Sequence, residues 1–124
     1  MHYGMDFSAP TGTEIFATGD GEVILAKRTW NGFGRHVIIR HGFGYETLYA
    51  HMSKVLVRKG QKVKRGEVIG LVGSTGTSVA PHLHYEVHKD GRKVNPAQYY
   101  FNDLTPEQYE EMLEQSASSN QSFD

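Results

Sequence analysis

Short apolar segments separated by glycine turns run through most of the chain. The segments Glu22–Lys27 and Arg35–Arg40 are rich in β-branched side chains, which is typical of strands. Tyr45–Met52 follows after the turn His41–Gly44, and this spacing predicts a hairpin. A further strand is predicted over Lys54–Arg58. Because no helical period occurs before residue 100, the pattern predicts an all-β fold of mainly antiparallel sheet.

The end of the chain carries the only good helix signal. Thr105 is placed as an N-cap, and Pro106 stands at the first helical position. Apolar residues then recur at helical spacing. We therefore expect a short helix over 104–115 that docks on the sheet, followed by a flexible, Ser- and Asn-rich tail over 116–124.

Composition limits the classes of protein that remain. The 124 residues suffice for one domain, and 13 basic residues balance 14 acidic ones, so charge alone suggests no nucleic-acid partner. Cysteine is absent, which excludes disulfides and thiolate metal sites. No apolar run approaches the ~18 residues of a membrane span, and no start of the signal-peptide type is present.

Seven histidines are the unusual feature of the composition. In an extended strand His82, His84, Glu86 and His88 share one face, while Leu83, Tyr85 and Val87 share the other face and predict a core side. For His-x-His alone, a solvated strand face is the commoner explanation. The same solvated interpretation is favoured for Glu86, although its carboxylate is in reach of an imidazole N–H. His88, ~13 Å from His84 along the strand, is too far to share its metal.

His2 and Asp6 form a second candidate pair. On a straight strand they share a face but lie ~13 Å apart, too far for two ligands of one cation. They converge only if the chain bends between them, and Gly4 permits a bend or bulge. Taken alone, an unrelated His and Asp near a chain end is the favoured interpretation.

A third candidate is His51, in the second strand of the predicted hairpin. Alternation places Tyr49 and His51 on one face with Thr47, and predicts that Leu48, Ala50 and Met52 face the core. A lone His on a polar strand face is usually solvated. His36 and His41, which bracket the preceding predicted strand, are expected to cap or solvate it.

Together these residues match the needs of zinc catalysis. A catalytic zinc takes three N or O ligands, keeps a position open for water, and needs nearby groups that move a proton and stabilise an oxyanion. His2, Asp6 and one of the pair His82 and His84 can supply the ligands. The other member of that pair, with His51, can supply the proton-handling groups.

The chain resembles the lysostaphin-type, or LytM-like, zinc endopeptidases, a family of cell-wall hydrolases. The resemblance covers roughly residues 1–97, with every motif in family order. It rests on His2-Tyr-Gly-Met-Asp6-Phe, Ala9-Pro-Thr-Gly12, His36-Val-Ile-Ile-Arg-His41-Gly, Tyr49-Ala-His51, Gly70-Leu-Val-Gly-Ser-Thr-Gly76 and Pro81-His-Leu-His84-Tyr-Glu-Val87.

The resemblance assigns roles that spacing leaves open. It implies that His2, Asp6 and His84 bind one Zn²⁺ per chain, and that His51 and His82 are catalytic. It also implies small antiparallel sheets of the duplicated-hybrid-motif or barrel-sandwich type, with a surface groove for a peptidoglycan peptide. On this basis 1–103 is the catalytic domain, expected to lack an upstream strand, and the protein is expected in the cell envelope with its export signal upstream.

Two alternatives from other classes stay open. One is a non-catalytic domain on the same scaffold that binds peptidoglycan and activates other wall hydrolases; such relatives typically lose ligands, whereas all five positions are present here. The other is a histidine phosphocarrier, which would not need Asp6. About one zinc per purified chain favours the enzyme. The bond cut, the oligomeric state and the choice of general base between His51 and His82 are left open by the sequence.

Overall fold

Nine strands and no helix make up the part of the chain that this computed structural model describes, namely residues 4–76, 78 and 80–94. The strands are β1 (Gly4–Ser8), β2 (Glu14–Phe16), β3 (Gly21–Arg28), β4 (Arg35–Gly42), β5 (Tyr45–Val55), β6 (Lys62–Val63), β7 (Val68–Val72), β8 (His82–Lys89) and β9 (Arg92–Val94).

All strand pairs are antiparallel, and hydrogen bonds connect them in the order β1-β8-β5-β4-β3-β6. The pair β2–β7 joins this path through β5, and β9 pairs with β8. The all-β prediction is confirmed. The long central strand β5 contacts β4, β7 and β8, so it is the element through which the candidate site is tied to the rest of the fold.

One predicted strand is wrong. Lys54–Arg58 is not a separate strand, because β5 continues to Val55 and pairs there with Gly70 and Leu71 of β7. The predicted helix over 104–115, the tail over 116–124 and the candidate ligand His2 all lie outside the described residues. In the described part of the chain, no helix has the length and apolar character that crossing a bilayer would require.

The core contains two buried tyrosines whose hydroxyl groups are hydrogen-bonded. The rings of Tyr49 and Tyr85 lie 5.3 Å apart between centroids, and both side chains are fully buried. Both hydroxyls contact Thr18 Oγ1, at 2.9 Å and 2.8 Å, and Thr47 donates to the Tyr49 hydroxyl. Because buried hydroxyls without partners are costly, this network removes the penalty of placing tyrosine in the core directly beneath the candidate site.

Candidate functional site

Strand β1 brings Asp6 opposite His84 of β8. The two residues are direct partners in a ladder that runs without interruption from Gly4 opposite Glu86 to Ser8 opposite His82. The bend predicted between His2 and Asp6 stays a prediction, because residues 1–3 lie outside the described part of the chain. Glycine is also needed at position 4 for another reason, since a Cβ at Gly4 would lie 2.6 Å from Cε1 of His84. The bare backbone makes room for the imidazole ring.

Both nitrogens of His84 face a carboxylate. Nδ1 lies 2.7 Å from Oδ1 of Asp6, and Nε2 lies 2.7 Å from Oε2 of Glu86. Burial by itself lowers the pKa of His84, but the hydrogen bonds to Glu86 and Asp6 and their charges outweigh it, so the pKa is raised. Two acceptors on one ring require two N–H donors, so in the metal-free chain this geometry favours the imidazolium form.

Glu86 is buried, contrary to the favoured interpretation of a solvated carboxylate; its exposed fraction is 3%. Oε1 of Glu86 accepts from His88 Nε2 at 2.8 Å. Oε2, which faces His84, also lies 3.5 Å from Lys93 Nζ. Burial alone raises the pKa of Glu86, but the hydrogen bonds from His84 and His88 hold it well below its usual range. His88 is thus linked to His84 through Glu86.

Strand β5 does not alternate as predicted. Thr47 and Tyr49 belong to the core face, because Tyr49 pairs directly with the buried Tyr85. Ala50 pairs with His84 and so shares the site face. A register irregularity opposite Arg35–Val37 then allows His51, with φ of 62°, to lie on the site face as well. The prediction that Tyr49 and His51 share a face is wrong because alternation breaks at this bulge.

Backbone carbonyls fix His51 at both ends. Its amide N–H donates to the carbonyl of Phe33 at 2.8 Å, and ring Nδ1 donates to the carbonyl of Thr75 at 2.7 Å. Because a carbonyl only accepts, Nδ1 carries the proton and Nε2 of the neutral ring has the lone pair. Burial lowers the pKa of His51, the hydrogen bond to Thr75 opposes it, and the net shift is downward.

His82 is held from the loop that precedes β8. Its Nδ1 lies 2.9 Å from the carbonyl of Ala80 and 3.0 Å from Ser78 Oγ, while Nε2 lies 3.5 Å from Asp6 Oδ1. The ring of His51 is 4.9 Å from the ring of His82 and 6.0 Å from that of His84, between centroids. Four of the five predicted site residues therefore meet at one place, and the fifth, His2, is outside the described residues.

The remaining histidines lie within β4 rather than beyond its ends. His36 is buried, with Nδ1 2.8 Å from the carbonyl of Gly34, so the interpretation as a solvated residue is wrong. His41 contacts the carbonyl of Asp20 and the hydroxyl of Thr47, both at 2.7 Å. This contact links it to the buried hydroxyl network.

Sequence reasoning missed Phe33 and underestimated Thr75. The Phe33 ring stacks on His84 with centroids 5.9 Å apart, and its carbonyl accepts from His51. The Thr75 hydroxyl donates to the Met52 carbonyl at 2.7 Å and accepts from the Arg35 amide at 3.0 Å. The contacts to His51 use the carbonyls of Phe33 and Thr75, which every residue type possesses, and the side-chain contacts join residues distant in sequence, so no local pattern indicates them.

The described donors fit a zinc ion, although no group of three His, Cys, Asp or Glu side chains in the described part is disposed to hold a metal by itself. Asp6 Oδ1 and His84 Nδ1 approach each other as a nitrogen and oxygen donor pair. Asp6 and His84 would hold such a cation, and Glu86 would still accept from Nε2–H of His84. Such a carboxylate–histidine pair is the usual outer support of a zinc ligand.

Comparison with known proteins finds relatives that are described as peptidases. The chain is 51% identical over 94 residues to the peptidoglycan DD-endopeptidase ShyA of Vibrio cholerae, covering 76% of this chain and 22% of that protein. A variant of the catalytic domain of the prophage-encoded M23 protein EnpA from Enterococcus faecalis superposes with a TM-score of 0.75 at 41% identity, covering 80% and 78% of the two chains. A zinc-containing peptidase from Vibrio cholerae gives 0.73 at 45% identity, covering 76% and 29%.

The similarity concerns one domain. The chain spans 20% to 22% of the length of three curated relatives that it matches. Residues 1–96 match the model of peptidase family M23, which is most of the chain and includes all five predicted site positions. Together with the antiparallel fold and the clustered histidines, this match establishes that the chain belongs to peptidase family M23.

Proposed function

We propose that the chain is a zinc-dependent endopeptidase that hydrolyses peptide cross-links of bacterial peptidoglycan. The observation that carries the proposal is the chain of contacts Asp6–His84–Glu86, with His51 and His82 beside it. The relative ShyA supports the substrate class, since it is a peptidoglycan DD-endopeptidase. Action on this polymer also leads us to expect the protein in the cell envelope.

His2, Asp6 and His84 are the proposed ligands. This set offers two nitrogens and one oxygen, the donor types that catalytic zinc sites use. When bound, Zn²⁺ polarises a peptide carbonyl and lowers the pKa of a bound water toward ~7. Asp6 and Glu86 neutralise positive charge on the two sides of His84, and the stacked ring of Phe33 limits the movement of the imidazole.

The two catalytic histidines receive different roles. His51 is the proposed general base, because Nε2 has its lone pair and the lowered pKa keeps the ring neutral near pH 7. His82 is the proposed oxyanion partner. Its Nδ1–H donates to the carbonyl of Ala80, so a donor on Nε2 requires the ring to be protonated on both nitrogens, with the Asp6 carboxylate 3.5 Å from Nε2 to balance the charge.

The two rival functions are less well supported. A phosphocarrier role does not agree with membership of a peptidase family. A non-catalytic regulatory domain would have no need to retain the proton-handling pair His51 and His82, whose positions both lie in the assembled cluster.

Purified chain loaded with zinc should be incubated with two defined cross-linked fragments, one joined through a D-amino-acid bond and one through a glycine bridge. We expect cleavage of one of them, identified by mass spectrometry. A chelator should abolish cleavage and added zinc should restore it. One zinc per chain with no cleavage of either fragment, together with unchanged binding of the fragments by a His82→Ala variant, would favour the regulatory domain and contradict the proposal.

A further inference from the structure

The near-neutral net charge hides a strong separation of charge along the chain. Between Val23 and Gly66 the sequence has ten Lys and Arg residues and a single acid, Glu46. By contrast, six of the 14 acids fall after residue 100. The strands β3 to β6 are therefore strongly basic, although the total charge is −1.

Six of these cations line one surface depression of about 470 Å³, the basic depression, formed where β5 leaves β4 to pair with β7. Among the residues that the structure describes, no acid lines the basic depression and none of the six cations has an ion pair. The cations are Lys27, Arg28, Arg35, Lys54, Arg58 and Lys59.

Two of the six are direct cross-strand partners. Arg28 of β3 pairs with Arg35 of β4 in the ladder. Like charges placed opposite each other in an antiparallel pair are destabilising, so this arrangement opposes folding unless an anion binds between them. This pair of arginines thus lowers the stability of the protein when no anion is bound.

A second depression provides an internal contrast. It measures about 570 Å³ and is lined by Arg40, His41, Lys62 and Lys64, but also by three acids. Arg40 lies 3.7 Å from Glu22, one of those acids. Among the described residues, the second depression thus has acids in its lining and an ion pair to one of its cations, whereas the basic depression has neither.

Exposed apolar side chains adjoin the basic depression. Trp30 is 79% exposed and lies 4.2 Å from Arg28, and Leu56, 44% exposed, stands between the lining residues Val55 and Val57. Phosphate charge alone offers no apolar partner to exposed tryptophan and leucine side chains. A lipid surface does, because tryptophan favours the membrane interface and basic residues bind anionic headgroups.

We propose that the basic depression, with Trp30 and Leu56, is a docking surface for a membrane that contains anionic phospholipids. The phosphate headgroups would occupy the basic depression, while the indole and the leucine side chain enter the interfacial region. This proposal does not depend on the zinc-endopeptidase activity. Its consequence would be to hold the domain at a membrane surface.

Trp30 is the only tryptophan of the chain, so its fluorescence reports binding directly. Zinc-loaded full chain should be mixed with phosphatidylglycerol vesicles and, separately, with phosphatidylcholine vesicles. We expect a blue shift and co-sedimentation with the anionic vesicles only, both weakened by rising salt. The double variant Lys54→Ala/Lys59→Ala should bind roughly 30-fold more weakly, since each lysine contributes about one factor of five.

The matched control is Lys62→Ala/Lys64→Ala, which removes the same charge from the second depression. This variant should keep most of the binding, and circular dichroism should show that both variants fold. If both variants lose the same amount of vesicle binding, binding depends on net charge and not on the basic depression, and the proposal is overturned. Binding to soluble polyphosphate without binding to vesicles would also overturn it, by identifying a polymer as the occupant.

Discussion

Asp6, His84 and Glu86 lie on regular strands and are joined by charged hydrogen bonds, whereas His51 and His82 are fixed by neutral backbone carbonyls of loops. We call the first group the carboxylate side of the site and the second group the loop side. Carboxylate partners favour a charged or metal-bound imidazole, and a carbonyl partner fixes a proton on the ring nitrogen that faces it. The contrast indicates which histidines suit metal binding and which suit proton transfer.

The same comparison separates two kinds of rigidity. On the carboxylate side, the uninterrupted β1–β8 ladder sets the positions of the side chains. On the loop side, His51 has a φ of 62°. This left-handed backbone conformation is unfavourable for a residue other than glycine and persists only where the surroundings hold it. The contacts to Phe33 and Thr75 provide that support. The loop side should therefore be more sensitive to changes in backbone packing.

The largest expected effect comes from removing one histidine on each side. His84→Ala should lose both zinc and cleavage, because it deletes a proposed ligand. His82→Ala should keep about one zinc per chain while turnover falls by about 10²- to 10⁴-fold, the usual contribution of a proton-handling group. Metal analysis beside kinetics on one soluble fragment measures both. If His82→Ala loses zinc as completely as His84→Ala does, the division into two sides is wrong.

A glycine substitution tests the loop side without touching a histidine. Gly76 has φ of +76°, and a Cβ there would lie 2.3 Å from the carbonyl oxygen of Gly32. Gly76→Ala should displace the loop that holds His51, lowering the free energy of unfolding by about 2–4 kcal/mol. Turnover should fall while the zinc content is unchanged.

Gly91→Ala is the control for that measurement. Gly91 has a similar φ of +82°, but a Cβ there meets nothing within 4 Å. It should show only the cost of backbone conformation, about 1 kcal/mol. Denaturant unfolding of the two variants separates the cost of the backbone conformation from the cost of the steric clash with Gly32. Equal losses of stability, or normal turnover in Gly76→Ala, would show that this contact does not position His51.

How far the sequence predicts the site also differs between the two sides. Regular alternation in β8 correctly separates His82 and His84 from the core residues Leu83 and Tyr85. In β5 the same rule fails, because one bulge between Tyr49 and Met52 exchanges the core face and the site face. Contacts distant in sequence hold this bulge, so it leaves no local sequence pattern. The burial of Glu86 is missed for a related reason: His88 is its neighbour on β8, but Lys93 reaches it only because β9 pairs with β8.

On the carboxylate side, Glu86→Gln should weaken zinc binding by about 10- to 100-fold, since an amide orients His84 less strongly than a carboxylate. Glu14→Gln, at an exposed position on β2, is the matched control and should bind zinc normally. Competition with a coloured chelator gives both affinities. Unchanged affinity in Glu86→Gln would mean that Asp6 and the stacked Phe33 alone orient the ring.

The smallest expected effect is a difference between two titrations in the metal-free chain. Burial lowers the pKa of His51, so its neutral form contributes stability above pH ~6.5 that is lost as the pH falls. Contacts to Glu86 and Asp6 raise the pKa of His84 against the opposing effect of burial, so its charged form contributes stability below ~6.5 that is lost as the pH rises through the higher value. NMR of the imidazole signals should resolve His51 titrating at lower pH than His84. Added zinc should remove the His84 titration from this range, because a bound metal replaces its Nδ1 proton. Two coincident titrations near the ordinary value would mean that carboxylate and carbonyl partners do not distinguish these histidines.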